Sequence, residues 1–446
     1  MICTRPANRI GLLSRTAMAG ALAFGVVLGG TLVAPESAIA AKKPKAPKIK
    51  LSKGFIAAAQ PAQEAINAVV AGDAASEAAA KAALDAAIAA IASDDDKYTA
   101  GSLMLNLGNK AKKAEYQRQA IQMMLESGKA DPVAAPQLYA AGGDLAFRAK
   151  DYASAERYLL KAVELNPTDA SLKVLLGETY IANNKVPQGM TLLKGAIAAA
   201  KAGGQAAPES WYRRGLASAY KSNSTNDAAE FGAMMMQDHP TSANVGASVQ
   251  IVRELANYGA QDNLDLMRLM GRANGFLESR DYVEYIQASD PRRLPGETLD
   301  VIAAGIAAGK LNATDVFVSD ARTQASGRLA ADKASLPGYE AEARKASASE
   351  TTISGAADTL LSYGNAAAAE ELYKLALAKP GVDTPRTLTR LGIAQYDQGK
   401  YAEAQATFAK VTGPRMALAK LWSGWSAGKA KPPVPAAAPA TAAASQ

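Results

Sequence analysis

The chain has 446 residues, with 49 Lys and Arg against 42 Asp and Glu, a formal net charge of +7, one histidine and one cysteine. Hydrophobic residues make up 49% of it but aromatics only 6%, because alanine, the strongest helix former, supplies the bulk. That composition argues against a disulfide-built fold and histidine-rich metal chemistry and favours an all-α chain, whose length suits a stack with a core that grows along it.

The first forty residues read as a secretory leader. Arg5, Arg9 and Arg15 form a basic start, Ala17 to Ala34 is an apolar run, and Pro35 breaks it. Ala38-Ile39-Ala40 places small residues where a signal peptidase reads, so cleavage is expected after Ala40 and the destination is periplasmic or secreted. The alternative is an uncleaved anchor, for which the glycine-interrupted run is barely long enough. Cys3 lies inside this leader, so the exported chain has no thiol. Residues 41–53, AKKPKAPKIKLSK, cannot bury apolar surface and are expected to form a flexible Lys/Pro-rich arm. Lys42 to Lys53 could make weak contact with an anionic surface. No basic-aromatic pattern or reading motif points to nucleic acid.

Helical periodicity begins at Gly54. Phe55–Ala71 pairs with Ala74–Ala92, and Lys97–Leu107 with Ala111–Glu126. Asp94-Asp95-Asp96 stands just before a helix and reads as a cap that complements the helix dipole, since one triplet offers too few converging oxygens for a metal. The clearest unit is 136–169, PQLYAAGGDLAFRAKDYASAERYLLKAVELNPTD. Tyr139, Gly143 and Phe147 recur at spacing 4 on one face. Gly143 lets a second helix approach, Lys150-Asp151 turns the chain, and Ala155, Leu159 and Ala162 form the facing stripe until Pro167 stops it. Such a pair leaves one apolar face uncovered and must stack on a neighbour.

A second unit, 170–203, follows in register with Leu176, Gly177 and Tyr180, then Gly189, Leu193 and Ala196. A third starts near Pro208, with Trp211, Gly215 and Ala219, and ends at Asp238-His239-Pro240. From 241 to 350 the helical signal persists but the signature fades, and 325–350 reads as a long loop or a loosely packed helix. The signature returns from 351: Ala356–Tyr363 precedes a Gly364-Asn365 turn, then Ala368 and Leu372. In Arg386–Lys410 it is clear again, with Leu391-Gly392, Gly399-Lys400-Tyr401, Ala404 and Phe408. Pro414–Trp425 reads as a capping helix, and 427–446 as a disordered Ala/Pro-rich tail.

These units resemble the tetratricopeptide repeat, a family of two-helix modules. The resemblance implies an all-α fold, an α-solenoid wound as a right-handed superhelix over 54–240 and 351–426, with degenerate repeats between. It also implies a peptide-binding groove along the first helices. Carried over by position, that groove holds Gln137, Asp144, Phe147 and Arg148, then Ser171, Glu178 and Ile181, then Glu209, Tyr212 and Tyr220, then Arg386, Thr389, Tyr396 and Asp397. Phe147, Tyr212 and Tyr220 would be its aromatic anchors. Asp144 and Glu178 stand where some members clamp a terminal carboxylate with Asn, which speaks against that clamp here.

Gly424-Trp425-Ser426-Ala427-Gly428 spells G-x-S-x-G, but no strand precedes it and no histidine follows. His239 sits alone at a helix C-terminus, where it complements the dipole. Met234-Met235-Met236 point about 100° apart on a helix and cannot converge on one ion. Ser218 and Lys221 match S-x-x-K with no later Lys-Thr-Gly. No Walker A loop or dinucleotide glycine pattern is present. The expectation is a non-catalytic scaffold without cofactor that binds a protein or peptide in the cell envelope. The alternatives are an enzyme, or an accessory helical domain, acting on cell-wall glycan, and a structural oligomer stacking through Trp422 and Trp425.

Overall fold

The computed structural model describes residues 49–430, and the chain divides into two compact units, one up to Asn183 and one from Asn184. The leader, residues 41–48 of the arm and the tail from 431 lie outside the described residues. Among the described residues there is no strand, and no helix is long and apolar enough to cross a membrane.

The N-terminal unit is built of antiparallel pairs: α1 (Lys53–Asn67) with α2 (Ala74–Ala89), α3 (Asp94–Ala111) with α4 (Ala114–Glu126), α5 (Ala135–Arg148) with α6 (Tyr152–Leu165), then α7 (Ala170–Ala182). Short polar side chains start most of them. Ser52, Asp73, Ser93, Asp151 and Asp169 each accept a backbone N–H of the first turn, satisfying donors that have no partner within the helix. Phe55, Ile66, Leu84, Leu107, Ile121 and Met124 form the core along the stack.

Two sequence expectations change in this unit. The acidic triplet is the first turn of α3 rather than a prelude to it, and Asp96 is fully buried. Asp96 accepts the N–H of Ser52 at 2.9 Å and of Ala92 at 3.1 Å. Asp95 accepts the N–H of Lys50 at 3.0 Å and pairs with Lys129 at 3.1 Å. The end of the presumed flexible arm, Lys50 to Lys53, is therefore tied to the start of α3.

The C-terminal unit begins with α8 (Val186–Ala202), α9 (Glu209–Lys221) and α10 (Thr225–Asp238). It continues through α11 (Ser242–Ala256), α12 (Ala260–Arg272), α13 (Ser279–Ser289) and α14 (Pro295–Ala307). The 28-residue α15 (Val316–Ala343) follows, then α16 (Glu350–Ser362), α17 (Ala366–Leu377), α18 (Thr384–Asp397), α19 (Tyr401–Phe408), a 3-10 turn (Gly413–Arg415) and α20 (Met416–Ala430). The degenerate segment is thus made of helices like the rest. Most of 325–350 belongs to α15, the loosely packed alternative: only Val318, Ala321, Ala325 and Ala343 of that helix are buried.

One contact recurs in the clear repeats. A Cβ on Gly143 would lie 2.5 Å from Leu159, one on Gly215 2.3 Å from Phe231, and one on Gly392 2.5 Å from Phe408. Each glycine faces the residue sixteen positions later, so a bare first helix receives the bulky side chain of the second. The same device closes the C-terminal unit. A Cβ on Gly424 would lie 2.3 Å from the Ala233 carbonyl oxygen, and one on Gly428 2.5 Å from that of Met236. The glycines four apart on α20 let it lie backbone to backbone on α10. This explains the G-x-S-x-G string: Ser426 is fully buried and donates to the Trp422 carbonyl at 2.8 Å. α20 continues to Ala430, past the point where the sequence suggested a disordered tail.

Trp422 and Trp425 are 0% and 2% exposed, so they cannot stack one copy on another. Trp422 donates its indole N–H to the Asp265 carbonyl at 2.9 Å, and Trp425 donates to the Tyr396 hydroxyl at 2.8 Å. A helix buried nearly all round belongs in a core.

Candidate functional site

The sequence-chosen groove residues divide into surface and core. On α5, Gln137 and Arg148 are exposed, Asp144 is half-buried and pairs with Arg148 at 2.8 Å, and the half-buried Phe147 ring packs 5.7 Å from Tyr152. On α7, Ser171 is exposed, while Glu178 and Ile181 are half-buried. On α9, Glu209 is half-buried and held by Arg213 at 2.6 Å, a hydrogen bond that lowers its pKa. Tyr220 stays 47% exposed.

Tyr212 corrects the sequence reading. It is 0% exposed, donates to Asp238 at 2.8 Å and packs edge-on to His239 at 5.4 Å. Burial, with the bond to Asp238, raises its phenol pKa. His239 brings its Nε2 to 2.8 Å from the Ala207 carbonyl, so it fastens the turn before α9 in addition to ending α10. Tyr396 is core as well, packed 5.4 Å from Trp422 and 5.3 Å from Tyr401. Burial pushes its pKa up to about 12. Thr389 is buried against its own helix, donating to the Pro385 carbonyl at 2.7 Å. Asp397 is taken by Arg272, which holds it with two bonds of 2.5 Å.

Arg386 belongs to a different setting. The inner faces of α12, α14, α16 and α18 meet in a buried ionic network. Asp265 receives Arg268 at 3.0 Å, Arg390 at 3.1 Å and Arg415 at 3.0 Å. Burial opposes its charge, but the three guanidinium groups hold the carboxyl below its ordinary range. Arg268 also forms a two-bond pair with Glu297 at 2.8 and 2.7 Å. Arg390 also reaches Asp358, which accepts from Tyr373 at 2.7 Å.

Where this network approaches the surface, a cavity of about 260 Å³ opens between α16 and α18. Glu350, Ser354, Gly355 and Asp358 line it from α16, Asp383 and Arg386 from the start of α18, and Arg293 from the loop before α14. The Nε–H of Arg386 is buried there without a hydrogen-bond partner among the described residues. Of these residues the sequence reading chose only Arg386. For three of the others a signal was present, the polar spacing of four of Glu350, Ser354 and Asp358 on a helix whose other face holds Ile353, Ala357 and Leu360. A larger depression of about 550 Å³ in the N-terminal unit lies over the start of α3, but Asp95 there already has the Lys50 N–H and Lys129. Among the described residues no group of three His, Cys, Asp or Glu side chains could hold a metal.

Residues 146–207 match the family model described as tetratricopeptide repeat. No curated protein matches the chain. Among solved structures, the TPR2AB-domain:pHSP90-complex of yeast Sti1 aligns at 15% identity and a TM-score of 0.25, covering 66% of this chain and 94% of that one. An IFIT1 monomeric mutant with Gppp-AAAA aligns at 16% identity and a TM-score of 0.24, covering 76% of this chain and 66% of that one. Scores this low place no constraint on what the chain binds. The matched segment carries the Gly177 and Leu193 positions of the second repeat, and the glycine-to-bulky contact sixteen residues apart recurs on either side of it: residues 146–207 are tetratricopeptide-repeat sequence, set in a chain whose described residues are all-α.

Proposed function

We propose that this protein is a non-catalytic scaffold of the cell envelope that binds an extended segment of a partner protein. Repeats of this kind serve as protein-interaction surfaces, which supports the coarse reading. The observation that carries the finer one is the α16–α18 cavity. It lies between the first helices of two successive repeats and presents a buried donor, the Arg386 Nε–H, that no described residue satisfies. A buried unpaired donor costs about 1–3 kcal/mol, and a ligand acceptor would remove that cost. In the N-terminal unit Gln137 and Ser171 are exposed and open to contacts of their own, as is Tyr220 in the C-terminal unit.

The envelope location rests on the basic-apolar leader and its small residues before Ala41. Two experiments test the proposal. Probing an array of short peptides with the whole chain should give sequence-dependent binding; uniform absence of binding would sink the scaffold reading. N-terminal sequencing of protein from its own host should begin near Ala41, and an intact Met1 would favour the membrane-anchor alternative.

A further inference from the structure

We infer that the α16–α18 cavity accepts the uncharged amide side chain of an Asn or Gln in the bound segment. This deepens the scaffold reading and rests on it. Two features fit the cavity for an occupant. The first is the unpartnered Arg386 Nε–H, which calls for an acceptor. The second is Gly355. It lies inside α16, where glycine costs about 1 kcal/mol relative to alanine, and nothing lies within 4 Å of where its Cβ would be. The glycines at 143, 215, 392 and 424 are explained by a helix or side chain pressed against them; Gly54, Gly195, Gly327, Gly338 and Gly355, also inside helices, have no such neighbour, and of these five Gly355 is the one that lines the cavity. Its missing side chain instead leaves room in the cavity.

The charges around the cavity choose the chemistry. Arg293, Arg386 and Arg390 face Glu350, Asp358 and Asp383, three cations against three anions. A carboxylate or phosphate would meet the arginines but also the acids, and a lysine the reverse. A carboxamide satisfies both sides. Its oxygen accepts from Arg386, and its NH₂ donates to a carboxylate such as Asp383, which is 47% exposed and accepts from Arg386 through the backbone N–H at 3.1 Å and the guanidinium at 3.3 Å, with lone pairs left for a further donor. A cavity of about 260 Å³ admits such a side chain with part of its backbone.

The test uses the whole chain and saturation-transfer NMR with three capped amino acids: the N-acetyl methylamides of glutamine, glutamate and lysine. The glutamine compound should give the strongest signal. Gly355→Leu, which extends a side chain into the cavity from an open Cβ position, should cut that signal several-fold, as should Arg386→Met, with melting temperatures close to the parent's. A glutamate signal equal to or above that of glutamine would overturn the inference, as would a glutamine signal unchanged by Gly355→Leu. Peptide-array binding distinguishes the two levels. If Gly355→Leu leaves array binding intact, the scaffold stands and the cavity assignment falls; if the parent binds no peptide, the scaffold reading itself falls.

Discussion

Asp265 sits at 0% exposure among the guanidinium groups of Arg268, Arg390 and Arg415, and removing its charge would leave three cations around a neutral amide. Breaking a buried pair from one side costs about 3–5 kcal/mol. Asp265→Asn should lower the denaturation free energy by about that much, whereas Asp290→Asn, at an exposed Arg292 pair, should change it by less than about 1 kcal/mol. Chemical denaturation of both variants checks this, and equal effects would mean that the network contributes no more than a surface pair. Glu370 gives a pH test. Burial raises its pKa, but hydrogen bonds from Lys374, Lys400, Gln398 and Gln395 outweigh that and hold it at about 2, below the ordinary 4.5. A depressed carboxyl stabilises the fold above its unfolded pKa, and that stability is lost as pH falls through the folded value. Stability should therefore decline between pH 4.5 and about 2, and Glu370→Gln should make the decline shallower in acid titration. At this scale the sequence misled in one consistent way. Tyr212 and Tyr396 have the spacing of groove residues, but spacing does not say whether a ring turns toward solvent or finds a hydrogen-bond partner inside. Their partners, Asp238 and Trp425, lie 26 and 29 residues away.

Helices pair here through glycines, and their substitutions should separate packing from propensity. Gly392→Leu places a side chain where even a Cβ meets Phe408 at 2.5 Å, so overpacking should cost about 1–3 kcal/mol. Gly355→Ala adds a methyl group in open space and should stabilise by about 0.5–1 kcal/mol through helix propensity alone. Thermal melts of the two variants should shift in opposite directions; a shift of Gly355→Ala downward would show that α16 is crowded there. Elements whose glycine and bulky stripe lie on one pair were legible in the sequence, as in 136–169 and 386–410. The segment from 241 to 350 was not, for a physical reason. Asp265 and Arg268 on α12 and Glu297 on α14 occupy buried positions that a hydrophobic period would fill. Charges that satisfy one another across 125 residues, as Asp265 and Arg390 do, leave no apolar pattern to read. The acidic triplet was misread for a related reason, since the donors to Asp96 include Ser52, 44 residues earlier.

Closure of the C-terminal unit depends on its last helix. α20 meets α10 through Gly424 and Gly428, seats Trp422 on the Asp265 carbonyl, and reaches the ionic network through the preceding Arg415. None of these contacts has a substitute elsewhere in the chain's order, because the sequence neighbours of α10 are α9 and α11. The sequence read Pro414–Trp425 as a last, capping helix; its two tryptophans and two glycines are what a central helix needs. Truncation after Thr412 should therefore do more than fray an end. It would expose the α10 face that Ala233 and Met236 line, remove the Arg415 guanidinium from Asp265, and leave Tyr396 and Phe408 without Trp422. Hydrogen exchange should show protection lost across α10 to α13 and α18, while α1 to α6, whose core residues run from Phe55 to Leu138 and on to Leu159 and Ala162, keep theirs. The milder variant Trp422→Ala should weaken the same helices without abolishing their protection, with a cost of about 3–5 kcal/mol. Protection lost only in α19 and its immediate neighbours would show that α20 is a cap after all, and the closed C-terminal unit would have to be given up.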